Sequence, residues 1–205
     1  MSYELETVSL TTQSNLHDLI RILTGAFRYD PLLEYLFPGN ASRLEELNTF
    51  FRVNLEFGLA AGEIYCTTSM LGCAVWLFPG DRSRTRVSRT GLPAERFKLL
   101  LDSESYRKYA DFEEYMKEVH IGLQCPSYCL LLFLGVEERQ RARGVGSRLM
   151  QPVLKTADEK GMPCILDTMN ESNLEFYRMH NFKVCREYHI CRTGPYGWTM
   201  IRRPQ

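Results

Sequence analysis

Apolar positions change period several times along the chain, and each change marks a strand or a helix. Glu4 to Leu10 alternates polar and apolar residues as a half-buried strand does, and Ser14 to Phe27 then places Leu16, Leu19, Ile20, Leu23 and Phe27 at helical spacing. Asp30-Pro31 breaks that helix, since the residue before a proline is driven out of the helical region. Tyr35-Leu36-Phe37-Pro38-Gly39 follows as an aromatic-rich turn, and Leu44 to Leu59 restores a helical period that ends near Gly62. Ile64 to Thr68 and Cys73 to Phe78, joined through Ser69-Met70-Leu71-Gly72, form an antiparallel strand pair in this reading. A basic, loop-like stretch from Pro79 to about Leu92 leads into two helices, roughly Pro93 to Leu101 and Ser103 to Val119.

The second half is patterned more sharply. Cys129 to Val136 is a continuous apolar run, the mark of a strand covered on both faces. A charged turn and a pair of glycines come next, followed by an amphipathic helix through Val145, Leu149, Val153, Leu154 and Ala157. Pro163 to Thr168 is a further strand, Ser172 to His180 a short helix, and Phe182 to Ile190 and Tyr196 to Ile201 the last two strands. There is no internal repeat and no low-complexity segment, and 205 residues suffice for one α/β domain over 1–205.

Charge narrows the classes of partner. Twenty-five basic residues balance twenty-five acidic ones, so no global field favours DNA, RNA or an anionic membrane. The start of the chain shows no basic segment followed by an apolar run, and no apolar stretch reaches the roughly 18 residues of a membrane span; a soluble, cytoplasmic protein, monomeric or homodimeric, is expected. Seven cysteines without a Cys-x-x-Cys pair argue for reduced, mostly buried thiols rather than disulfides or zinc. Cys185, Glu187, His189 and Cys191 alternate along one predicted strand and would share a face. The two cysteines would then lie about 20 Å apart, too far for one metal ion, so no metal site is expected.

Candidate chemistry concentrates between the buried strand and the helix after it. Glu137-Glu138-Arg139-Gln140-Arg141-Ala142-Arg143-Gly144-Val145-Gly146-Ser147 carries glycines where a helix begins, and there unpaired N–H groups and the positive end of the helix dipole favour an anion. Gly144 and Gly146 let backbone approach phosphate oxygens, while Arg141 and Arg143 supply charge-assisted hydrogen bonds. A Walker loop is excluded because Ser147-Arg148 follows Gly146 instead of Lys-Ser/Thr, and a dinucleotide fingerprint because Leu149 stands in place of its third glycine.

Arg141-x-x-Gly144-x-Gly146 after a buried strand resembles the Gln/Arg-x-x-Gly-x-Gly/Ala signature of the GCN5-related N-acetyltransferase (GNAT) superfamily. Asn173-Leu174-Glu175-Phe176-Tyr177-Arg178-Met179-His180-Asn181-Phe182 is similar to its Asn-x-x-x-Tyr-x-x-x-Gly-Phe segment, with Asn181 in the glycine position. Asp30-Pro31, Tyr35-Leu36-Phe37-Pro38, the strand end Ala74 to Gly80 and the closing Gly197 to Arg202 resemble the puromycin-acetyltransferase-like branch. The resemblance implies a mixed, mostly antiparallel, twisted sheet of about seven strands, splayed between the fourth and the fifth, with helices on both faces. It also implies a coenzyme-binding core over about 127–190 and an acceptor side over about 38–126.

Acetyl-CoA is the cosubstrate that the resemblance implies. The backbone of Leu134, Gly135 and Val136 would meet its pantetheine arm, the loop Arg141, Ala142, Arg143, Gly144, Val145, Gly146 and Ser147 its diphosphate, and Asn173, Phe176 and Tyr177 the region around the sulfur. Tyr177 is then the candidate general acid for the departing thiolate, a phenol being close enough to a thiol in pKa for that transfer. Asp167 is the first candidate for the base; Glu63, Tyr29, His120 and a chain of water remain open beside it. Cys129 and Cys164 lack a sequence-evident histidine partner and rank low as nucleophiles. The expected reaction is direct attack by a primary amine of a small molecule or a peptide. The alternative is a silent acyl-CoA-binding sensor or interaction module. The arginines at 82, 84, 86 and 89 hint at an anionic or polar acceptor.

Overall fold

The computed structural model describes residues 7–39, 42–79 and 92–205. One seven-stranded sheet has the order β1-β2-β3-β4-β5-β7-β6, with β1 at Val8–Leu10, β2 at Gly62–Thr67, β3 at Gly72–Leu77, β4 at Cys129–Val136, β5 at Cys164–Thr168, β6 at Lys183–His189 and β7 at Tyr196–Arg202. Every neighbouring pair is antiparallel except β4 and β5. That exception follows from connectivity, because a parallel pair needs a helical crossover and the helix after the glycine pair supplies it. The expected mixed, mostly antiparallel seven-stranded sheet is therefore the one found.

Among the described residues, seven α-helices cover the two faces: α1 Leu16–Ala26, α2 Pro31–Leu36, α3 Arg43–Ala61, α4 Leu92–Leu100, α5 Ser103–Ile121, α6 Val145–Glu159 and α7 Leu174–Arg178. Alternation along β3 assigns its side chains to two layers. Cys73 and Val75 join the core under α1, α3 and α5, while Ala74 and Trp76 join the core under α6 and α7. Aromatic rings dominate the first layer: Phe50 and Phe51 lie edge-on to Phe133, and Phe97 stacks on Phe50 with centroids 5.5 Å apart. On the second face, Arg202 of β7 holds Asp158 of α6 through two 2.7 Å hydrogen bonds, which lower the Asp158 pKa and tie the last strand to the crossover helix.

Two sequence expectations change. Asp30-Pro31 ends α1 but also starts α2: the Asp30 carboxylate accepts hydrogen bonds from the N–H groups of Leu32 (3.0 Å) and Leu33 (3.4 Å), and Pro31 occupies the first helical position, where its missing N–H costs nothing. Part of the expected aromatic turn is thus helix. The alternation from Cys185 to Cys191 also fails, because Cys185 is the extra residue of a bulge against β7 and Cys191 leaves the strand with φ at 46°. Among the described residues, no group of three or more His, Cys, Asp or Glu is placed to hold a metal ion. Finally, the start of the first predicted strand and the arginines at 82–89 lie outside the described residues.

β2 and β3 pack so closely that a Cβ on Gly62 would lie 2.0 Å from the Trp76 carbonyl oxygen of the neighbouring strand. We predict that Gly62→Ala destabilises the protein by about 1–3 kcal/mol, the usual cost of overpacking a tight site, measurable as a lowered urea midpoint at unchanged slope.

Candidate active site

The β4–β5 ladder is short. Only Cys129, Leu130 and Leu131 pair with Cys164, Ile165 and Leu166; beyond them β4 keeps its partners on β3 while its other edge leaves the ladder. A bulge coincides with that point. Val75 faces Phe133 and Trp76 faces Leu131, so Leu132 is the extra residue of β4. Leu134, Gly135 and Val136 lie on the departing stretch, opposite Ala74, Cys73 and Gly72. Gly135 also packs closely, since a Cβ there would stand 2.7 Å from Leu23 Cδ2 of α1.

The glycine loop follows the departing stretch of β4, and the Cβ position of Gly146 lies 3.7 Å from Leu134 Cδ2. Ala142 and Gly144 both adopt the left-handed conformation, with φ at 58° and 76°, and Gly144 caps α6. The first helical hydrogen bond, Arg148 N–H to the Gly144 carbonyl (3.1 Å), leaves the N–H groups of Val145, Gly146 and Ser147 without helical acceptors. Arg141, Ala142, Arg143 and Gly144 are exposed. Arg141 anchors the loop by donating from Nη2 to the Ala26 carbonyl at the end of α1 (3.0 Å). The two glycines do different work: the Cβ position of Gly144 meets open space, whereas that of Gly146 lies 3.1 Å from Phe176 Cζ. Gly146 is small because Phe176 packs on it.

Phe176 belongs to α7, and so does Tyr177. Asn170 starts the turn Glu171–Asn173 by accepting from the Ser172 N–H (3.1 Å), and Asn181 closes the segment in the left-handed region at φ 64°, as its glycine-like position required. Asn173 approaches Thr168 Oγ1 at 3.4 Å. Tyr177 is buried against Phe182; burial, together with the charge of Asp30, pushes its phenol pKa upward and keeps it protonated.

A cavity runs from Tyr177, Asn173 and the diverging ends of β4 and β5 to the helical layer formed by α2, α3 and α5. Asp167 lines it with a side chain only 5% exposed. Its Oδ1 accepts from Thr199 (2.7 Å) and Tyr188 (3.4 Å), and its Oδ2 lies 2.8 Å from His120 Nε2, whose Nδ1 is 3.0 Å from the Tyr128 hydroxyl. Two of the base candidates, Asp167 and His120, are therefore partners. Glu63 accepts from Tyr65 (2.8 Å) on β2 and Tyr29 is exposed; neither lines the cavity. Cys129 and Cys164 face each other across the short ladder as free thiols, buried and outside the cavity, and a hydrogen bond with Cys129 together with burial pushes the Cys164 thiol pKa up.

Asp30 and Glu113 are the cavity residues that pattern reading missed as site groups. Asp30 announced itself as a helix cap, and Glu113 sits inside the α5 stripe beside Phe112, with no motif around it. Burial raises the Asp30 pKa to about 6 against the pull of its two backbone N–H donors.

Residues 108–182 match the model of the acetyltransferase (GNAT) family. An uncharacterised N-acetyltransferase of Schizosaccharomyces pombe is 24% identical over 196 residues, covering 89% of this chain and 77% of that protein. Among solved structures, a histone acetyltransferase HPA2-related protein of Corynebacterium glutamicum superposes with a TM-score of 0.68 at 17% identity, over 98% of both chains. Arylalkylamine N-acetyltransferase 2 of Aedes aegypti gives 0.64 at 13% identity, over 98% of this chain and 100% of that one. The polyamine N-acetyltransferase of Drosophila melanogaster that forms N-acetylagmatine gives 0.63 at 14%, over 96% and 99%.

A raised carboxyl pKa means that the folded state binds the proton more tightly than the unfolded chain. The stability contributed by Asp30 is complete below about pH 4 and is lost as pH rises through about 6. Asp30→Asn keeps a capping side chain without the charge. Its melting temperature should exceed that of the parent at pH 8, by up to about 3 kcal/mol in stability, and the gap should close near pH 4.

Proposed function

From membership of the GNAT superfamily of acetyltransferases, to which this chain belongs, we propose that the protein transfers an acetyl group from acetyl-CoA to a primary amine of a small molecule by direct attack. One observation carries this reading: the β4–β5 ladder stops after three pairs, and the left-handed loop that caps α6 follows the departing stretch, with the Cβ position of Gly146 3.7 Å from Leu134 Cδ2. The loop presents helix N-terminal N–H groups and exposed arginines, a donor set that fits a diphosphate. The unpaired edge at Leu134, Gly135 and Val136 fits an amide-bearing arm, which would bind as an added strand does. The Leu134 N–H is the donor assigned to the thioester carbonyl as it becomes an oxyanion.

Each remaining residue has a task set by its surroundings. The amine nitrogen gives up a proton, forms the new C–N bond and displaces the sulfur, which takes a proton in turn. Asp167 accepts the first proton at Oδ2, next to His120 Nε2, and His120 in turn faces the Tyr128 hydroxyl, so the charge has a path out of the cavity. Tyr177 supplies the second proton to the thiolate; its burial keeps the phenol neutral until then. Asn173 and Phe176 hold the Tyr177 helix against Thr168 and Gly146. The neighbours named for arylalkylamine and polyamine acetylation support a small-molecule acceptor, as does a cavity enclosed by α2, α3 and α5.

Two variants test the reading by calorimetry and by thiol release with a panel of amines. Gly144→Asp should weaken coenzyme A binding by at least about tenfold, through the strained backbone and charge repulsion, since its Cβ position is open. Tyr177→Phe should lower kcat by about 10²-fold with coenzyme affinity unchanged. Coenzyme binding without thiol release by any amine would make the protein an acyl-CoA sensor instead.

A further inference from the structure

Three sulfur atoms meet at the paired end of the β4–β5 ladder, outside the cavity. Cys129 opens β4 and Cys164 opens β5. They are the first pair of the parallel ladder, so their side chains leave the sheet on one face, in the core under α6. The two thiols are hydrogen-bonded to each other, and the Cys129 sulfur lies 3.4 Å from the thioether sulfur of Met162. Backbone bonds set that third sulfur in place. The Met162 N–H donates to the Ala157 carbonyl (2.8 Å) past the left-handed Gly161, and the Cys129 N–H donates to the Pro163 carbonyl (2.9 Å). Both cysteines are free and buried, whereas Met162 is partly exposed.

We propose that Cys129, Cys164 and Met162 form a binding site for one soft monovalent cation, with copper(I) as the ion that the ligands fit. Thiolate and thioether sulfur select copper(I), and three such ligands suffice for an ion of low coordination number. Three sulfurs each about 2.3 Å from one ion lie about 4 Å apart, so the contact between Cys129 and Met162 has to open by only about half an ångström. Zinc fits poorly, because it takes four ligands and, among the described residues, no group of three His, Cys, Asp or Glu is placed to supply them. On binding, two copper–thiolate bonds form and the two thiol protons leave to solvent, while the thioether donates as a neutral ligand; the occupied site carries one net negative charge. Lys160 beside Cys129 and Arg202 beside Cys164 favour that charge, against Glu63 and Asp158. The bound ion joins β4 to β5 two pairs before their ladder stops at Leu131 and Leu166, and so clamps the strands just ahead of the point where they part.

Anaerobic titration of the reduced protein with copper(I), in competition with a chromophoric copper(I) chelator, should show one tight site per chain, and X-ray absorption of the loaded protein a first shell made of sulfur alone. Cys129→Ala and Cys164→Ala should each weaken binding by about 100-fold or more, and Met162→Leu by about tenfold. Cys66 and Cys73 also face each other, across β2 and β3 in the other layer, and Cys185 is exposed; Cys66→Ala and Cys185→Ala should leave the affinity unchanged. Circular dichroism melts identify the folded variants, and leucine matches methionine in size at a partly exposed position, so Met162→Leu keeps the test open should an alanine variant fail to fold. No copper(I) uptake against the chelator would overturn the site, as would nitrogen or oxygen in the first shell. Affinity unchanged in folded Cys129→Ala, Cys164→Ala or Met162→Leu, or lost in Cys66→Ala, would do the same.

Discussion

The whole site depends on a ladder that stops. β4 and β5 share three residue pairs and then part, so beyond Leu131 one edge of β4 runs without a pairing to β5 while the other stays on β3 through Phe133 to Val136. Backbone groups along a buried strand edge need hydrogen-bond partners from somewhere other than the ladder. Every other element of the site is arranged about that gap: the capped start of α6 at its mouth, α7 at its floor, and the aromatic layer of α3 and α5 beyond it.

Much of this was legible in the residues. β4 was read with its true ends because Cys129 to Val136 is uniformly apolar, and the α6 cap because glycines follow a charged turn. Asn181, read in the glycine position of the segment, adopts a left-handed turn as glycine would. The failures were those of local pattern against tertiary context. Asp30-Pro31 reads as a stop signal from one side and is also a start signal from the other. The alternation through Cys185 could not reveal a bulge, since a bulge is defined by the partner strand. The role of Gly146 depends on Phe176, thirty residues away, and the pairing of His120 with Asp167 joins a helix to a strand 47 positions on; neither contact leaves a trace in local spacing. The meeting of Asp30, Glu113 and Asp167 in one cavity was invisible for the same reason, the three coming from α2, α5 and β5.

Charge and shape in the cavity are bound to the same helices that build the core. Phe50 lines the cavity while stacking with Phe97 and meeting Phe133 and Phe51 edge-on. Substrate preference and stability therefore share residues here, and any relative that recognises a different acceptor must rebuild part of its aromatic layer to do so.

The extra residue at Leu132 sets the phase of everything that follows it on β4. Cys129 and Leu131 point toward α6, Phe133 toward the aromatic layer and Leu134 back toward α6, an order that strict alternation from Leu131 would invert. Were Leu132 to take a regular place in the alternation, Phe133 would turn away from Phe50 and Phe51, and Leu134 would change faces with it. A single irregularity thus acts as a clutch between the two halves of the strand: the first half runs in register with β5, and the second is free to serve the opening.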